Sequence, residues 1–366
     1  MPPSSLRRAP RVLPLALLAA LAACDLPSSA PIFQQSWTVP GDSVTVPVTQ
    51  ILPAGVAFNG TATAFLVSVA DPADFATTLG TLCGQPACQS GAAVSAPVPA
   101  FTSSGAALSR TVAFPATVAS GTVVSGSLSL AVQNTLGFDP LRPNGATAPY
   151  GTLTVTITNG ASSTTTTFTG ASQTMANNFT SFLSIPIPAG SYTGSFAVSA
   201  SFDVPAGGTA NLAAGNAISI SPSVVDLTVS QVSVVVVNEA ISTAPSAYDL
   251  EDIDFADRVE GGSIILDVSN PFTATATLNV VLSAPAQAGQ PLVSISKAIV
   301  IPATPTSTTT VTLSKAELQS LVGKTGVNMT VSGTANGTGA GNTATVTPTS
   351  RIVMRSNIQV VVNVGG

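Results

Sequence analysis

Gly126-Ser127-Leu128-Ser129-Leu130-Ala131-Val132-Gln133-Asn134 and Gly262-Ser263-Ile264-Ile265-Leu266-Asp267-Val268-Ser269-Asn270 are two copies of one pattern, and their reading decides the fold. In a strand, successive side chains point to opposite faces. Leu128, Leu130 and Val132 therefore share one face, and Ile264, Leu266 and Val268 share its counterpart. Slipping such a strand by one residue would expose the whole apolar set, so the pattern fixes register as well as type. Further on, Gly215-Asn216, Pro222, Ser230 and Val234-Val235-Val236 align without a gap with Gly341-Asn342, Pro348, Ser356 and Val360-Val361-Val362. Two anchors in the same order imply an internal repeat of two homologous β modules.

The surrounding chain reads the same way. Segments 43–48, 63–69, 151–158, 194–204, 217–220, 224–237, 263–268, 275–282 and 358–364 are β-branched, alternating or both, with Gly, Pro, Asn and Ser between them. Only 7% of the 366 residues are charged, and the polar partners of Val and Ile are chiefly Thr and Ser, which suit a pleated surface better than a helix. The expected class is all-β, with tandem immunoglobulin-like sandwiches over 111–238 and 248–366 joined by a linker, 239–247. For the β-rich region 24–110 two readings stand, a third small unit or an arm packed on the first module. Val232–Val237 is apolar enough to aggregate if exposed, so it belongs in the centre of a sheet. The Gly-rich stretch Gly333–Asn342 reads as a hairpin loop.

At the N-terminus, a basic segment 1–11 precedes an apolar stretch 12–20 that is too short to span a bilayer stably. Leu21-Ala22-Ala23-Cys24, which follows, resembles the bacterial lipobox. The resemblance implies a lipoprotein signal peptide over 1–23 and a diacylglycerol on the Cys24 thiol. Acylation of the new α-amino group, with a chain such as palmitate, would follow. The expected location is the bacterial cell envelope, with the membrane bound through the N-terminal lipid and the mature body outside the cytoplasm. Asp25 leaves inner and outer membrane both open. Cys83 and Cys88, separated by turn-like Gly84-Gln85-Pro86-Ala87, read as a structural disulfide in an exported chain.

The second module contains Leu266-Asp267-Val268-Ser269-Asn270-Pro271-Phe272, then Ile301-Pro302-Ala303, then Ser307-Thr308-Thr309-Thr310-Val311-Thr312-Leu313. A short helix over 314–322, opened by a Ser314/Glu317 capping box and closed by Gly323, precedes a strand from Val327. This order resembles the water-stress and hypersensitive-response (WHy) domain of the type-2 late-embryogenesis-abundant (LEA) family. The resemblance implies an LEA-like sandwich with one short helix in the second module, no catalytic residues and a link to stress tolerance. In the first module Thr135-Leu136 replaces the Pro-Phe of the motif.

Histidine is absent, which removes the commonest general base and metal ligand. No nucleophile elbow, P-loop or dinucleotide fingerprint occurs, so neither an enzyme nor a cofactor is expected. The net charge is −5 and the basic residues are scattered, which argues against nucleic acid. The densest charge is Asp249, Glu251, Asp252, Asp254, Asp257 and Glu260, at the module boundary. Carboxylates there have two readings, a calcium site or a solvated face. The spacing matches no EF-hand loop, and 113–124 in the first module is free of acidic residues, which favours the solvated face.

Three functions follow in order of expectation. The first is a non-catalytic structural or interaction lipoprotein with an envelope partner that the sequence does not identify. The second is a lipid or apolar-ligand carrier, which needs an apolar cavity. The third is a glycan-active enzyme, which needs paired carboxylates in a cleft.

Overall fold

A computed structural model describes residues 32–70, 72–103, 108–251, 256–287, 289 and 291–364. All strand pairs described are antiparallel, and they build two sandwiches. In the second, one sheet runs Phe33–Pro40, Arg351–Val364, Val259–Ser269, Thr306–Leu313, and Val44–Pro47 also pairs with Arg351–Val364. Its other sheet runs Glu239–Ser242, Val327–Gly337, Ala274–Ala284, Val293–Ile301, with Ser246–Tyr248 beside Val327–Gly337.

In the first sandwich, one sheet runs Phe179–Pro186, Val118–Asn134, Ala217–Val235, Phe65–Val67, Val56–Phe58. Its other sheet runs Ser162–Thr169, Thr152–Asn159, Ser195–Val204, Phe101–Ser103, with Ser109–Ala113 on Ser195–Val204. Leu128, Leu130 and Val132 are buried, as are Ile264, Leu266 and Val268, so the alternation faces the core in both modules.

The repeat is visible in the topology. Val118–Asn134 lies between Phe179–Pro186 and Ala217–Val235, while Val259–Ser269 lies between Thr306–Leu313 and Arg351–Val364. The asparagine ending each repeated segment is fully buried and holds one bond pattern. Its side-chain oxygen accepts from the backbone N–H two residues on, Leu136 at 2.9 Å or Phe272 at 3.1 Å. Its amide nitrogen donates to the carbonyl four residues on, Phe138 at 2.8 Å or Ala274 at 2.9 Å. A second donation reaches the loop ahead of the neighbouring strand, at Met175 or Pro302. Buried backbone groups need such partners, and here one side chain supplies three.

The second anchor of the repeat is displaced. Val224 faces Leu128 and Ile358 faces Ile264, so Ile358, not Ser350, is the counterpart of Val224. The last strands are equivalent in position, but the gapless alignment misplaces their register. A bulge between Val225 and Thr228, with Asp226 at φ 51°, breaks the pairing within the first of them.

Three boundaries also differ from expectation. Residues 239–247 are not a linker: two short strands in them pair with Val327–Gly337, burying Ile241 and Ser246. Region 24–110 is neither a third unit nor an arm on the first module alone. Phe33–Pro40 and Val44–Pro47 extend the second sandwich, whereas Val56–Phe58, Phe65–Val67, Phe75–Thr78, Phe101–Ser103 and Ser109–Ala113 extend the first. Within the Gly-rich stretch, Gly333–Gly337 is strand, and only Thr338–Asn342 connects it to Thr343–Val346.

Further contacts fasten the N-terminal segment to the second sandwich. A side chain at Gly41 would overlap the Tyr248 ring, so only glycine permits that approach. The Gln50 amide exchanges two 2.9 Å bonds with the Ser242 backbone.

The modules interlock as well. Thr343–Val346 of the second pairs with Val232–Val235 of the first, so one hydrophobic core runs from Val44 to Val362 through both sandwiches. Val232, Val234 and Val236 lie in it, fully buried. The helix Lys315–Leu321 has its capping box: Ser314 Oγ accepts from the Glu317 N–H, and the Glu317 carboxylate accepts from the Ser314 N–H. A second short helix, Leu79–Cys83, lies in the N-terminal region.

Candidate binding face and clefts

Cys24 lies outside the described residues. The structure bonds Cys83 to Cys88, with Cα atoms 6.2 Å apart. Thr78 caps the helix that carries Cys83, Gly84 ends it at φ 63°, and a single 3-10 turn, Pro86–Cys88, completes the loop. Of the acidic cluster, Asp252 and Asp254 lie outside the described residues. Asp249, Glu251 and Asp257 are exposed. Glu260 is paired with Lys315 at 2.9 Å and accepts from Asn363 Nδ2 at 3.1 Å. Among the described residues no three His, Cys, Asp or Glu side chains converge as metal ligands. The local reason is alternation: Tyr248 and Leu250 turn inward and are buried, which leaves Asp249 facing solvent.

The first sandwich carries a feature that the sequence reading passed over. Strand alternation puts Thr152, Thr154, Thr156 and Thr158 on the outer face of their sheet, because Leu153, Val155 and Ile157 fill the core. Register then sets each beside other hydroxyls. Thr156 lies between Thr165 and Ser199, and Thr154 between Thr167 and Ser201. Thr152 lies between Thr169 and Asp203, and Thr158 between Ser163 and Ala197.

Cross-strand hydroxyl pairs form at 3.2 Å (Thr156 and Thr165) and 3.4 Å (Thr154 and Thr167). The result is an array with neighbours about 4.8 Å apart across strands and ~6.7 Å along them, and Asp203 is the charged group at one end. The signal was the every-second-residue threonine in 152–158, taken only as a mark of strand.

At the Asp203 end, the disulfide loop and the segment around Pro149 and Tyr150 enclose a cleft of about 640 Å³. Asp203 Oδ1 accepts from Thr102 Oγ1 at 2.9 Å. Gln85 Nε2 donates to the Ala100 carbonyl, and Tyr150 Oη donates to the Ala146 carbonyl at 2.8 Å. A second cleft, about 670 Å³, lies on the second sandwich along Asp267, Thr306, Thr308 and Arg355. There Thr308 Oγ1 donates to Asp267 Oδ1 at 2.7 Å, and Arg355 stands opposite Asp267 in the strand register. Among the described residues no helix is long and apolar enough to cross a membrane.

No family model matches the chain. No curated protein matches it either. Solved structures give distant likenesses. A Parabacteroides distasonis protein described as secreted is 10% identical at TM-score 0.29, over 91% of this chain and 100% of that one. The cowpea mosaic virus top component is 9% identical at TM-score 0.21, over 82% of this chain and 91% of that one. The tandem CBM22-1–CBM22-2 domains of Paenibacillus barcinonensis Xyn10C are 8% identical at TM-score 0.19, over 80% and 98%. Likenesses at these scores assign neither family nor function.

Proposed function

We propose that this chain is a non-catalytic lipoprotein of the bacterial cell envelope, anchored by a lipid on Cys24, whose β body has a structural or interaction role. The observation that carries the reading is the hydroxyl array on the first sandwich. It is an open sheet face of threonines and serines, a surface suited to contact rather than chemistry. Each of the two large clefts is lined by a single carboxylate, Asp203 or Asp267, whereas glycoside hydrolysis uses a pair. Both clefts also present hydroxyls and charge, which suits polar contacts better than an apolar cargo. The second module's order of strand, Thr-rich strand, capped helix and strand is the order on which the WHy resemblance rests.

The test of the anchor is Cys24→Ser. A lipidated chain stays with membranes because each buried CH₂ contributes ~0.8 kcal/mol. We expect the native protein in the membrane fraction after a high-salt wash and the variant in the soluble fraction. Retention of the variant in washed membranes overturns the proposal.

A further inference from the structure

We propose that the cleft between the disulfide loop and Tyr150 binds a neutral saccharide. The proposal rests on the interaction reading above and names the ligand class for one site on the body.

Size comes first: about 640 Å³ lies within the ~300–1,000 Å³ of small-ligand sites. The chemistry of the lining then narrows the ligand. A carboxylate accepts several hydrogen bonds, and Thr102 occupies one oxygen of Asp203, so the other is available to adjacent sugar hydroxyls. Gln85 is tied through its amide nitrogen, which leaves its amide oxygen as a second acceptor. The Tyr150 hydroxyl is spent on Ala146, so what this residue offers is its ring, an apolar surface for the C–H face of a pyranose.

Charge decides between kinds of sugar. Asp203 is the charged group of the lining, with no Lys or Arg among its members, so an anionic sugar would meet repulsion and no counter-charge. The groups are also held in place before any ligand arrives. Asp203 sits on the strand Ser195–Val204, Thr102 on its paired neighbour, and Gln85 inside the loop closed by Cys83 and Cys88. Pre-ordering of this kind reduces the entropy lost on binding. Beyond Asp203 the hydroxyl row continues through Thr152 to Thr169, which provides further polar contacts for a longer chain.

Titration calorimetry of the full-length protein, in a detergent without a sugar headgroup and with trigalacturonate as the anionic comparison, tests this with the neutral sugars maltotriose, cellotriose and N-acetylchitotriose. At least one should bind with a millimolar or tighter Kd. Asp203→Asn and Tyr150→Ala should each weaken it about tenfold, ~1.4 kcal/mol. Asp267→Asn, in the other cleft, should leave binding unchanged. Asp203→Asn preserves side-chain shape and keeps the test decisive should Tyr150→Ala fail to fold. Absence of binding by all three sugars, native affinity in Asp203→Asn, or binding confined to galacturonate oligomers would overturn the proposal. The Cys24→Ser fractionation reads anchoring independently, so the two ideas fail separately.

Discussion

Asn134 and Asn270 show how much structure one side chain can organise. Each amide closes the turn after its strand and tethers the loop ahead of the neighbouring strand. Replacing Asn270 with Ala would strand the Phe272 N–H and the Ala274 and Pro302 carbonyls without their partner. A buried group left unsatisfied costs ~1–3 kcal/mol, so we expect Asn270→Ala to lose about 3 kcal/mol of unfolding free energy in urea. Asn134→Ala should lose a similar amount, because the bonds repeat. A loss under about 1 kcal/mol at both positions would show that water replaces the amide. The sequence marked these positions, since both end the aligned segments, but not their bonds, because the partners at Met175 and Pro302 lie in loops. The outer threonines were legible as strand and missed as a surface, because a hydroxyl array exists only after register has set Thr156 beside Thr165 and Ser199.

Among the elements, the helix Lys315–Leu321 was the most readable, because a capping box is a local device. Ser314 and Glu317 sit where the sequence put them. The short strands within 239–247 were not readable. Their pairing partner, Val327–Gly337, lies far along the chain, and runs of three or four residues are too short to display a period. The register of the last strands was hidden for a related reason: runs of valine align with themselves at several offsets, and the bulge near Asp226 shifts one copy.

The helix also carries a pH dependence. The Lys297 ammonium, 2.7 Å away, holds the Glu317 carboxyl below its ordinary range, helped by the Ser314 N–H. A lowered folded-state pKa stabilises above the unfolded value and is lost as pH falls through the folded one. Glu317→Gln should therefore cost about 0.5–1 kcal/mol at pH 7, consistent with a partly exposed pair and cap. That difference should shrink at a strongly acid pH, below the lowered folded-state value, where the native carboxyl is itself protonated. Urea melts of both proteins at the two pH values check it; a pH-independent difference would mean the carboxylate is not the cause.

At the scale of the molecule, the repeat suggested two bodies on a linker, and the structure joins them. Phe33–Pro40 and Val44–Pro47 lie in the second sandwich, the following strands lie in the first, and Thr343–Val346 reaches back into the first. Alternation within each strand could not reveal this, because it specifies which face is buried and not which sheet receives it. With one core through both sandwiches, thermal unfolding should be a single transition. Two separated calorimetric transitions would show that the modules melt independently.

The pairing of Phe33–Pro40 with Arg351–Val364 sets Phe33 opposite Val364. A ribosome delivers the first of these strands long before the second, so this edge of the sheet waits for almost the whole chain. Contacts that close such a span pay their loop entropy before they gain anything, which makes all-β chains slow to fold. Until then, the backbone of 33–40 lacks the strand that it pairs with. What is synthesised first here is locked last.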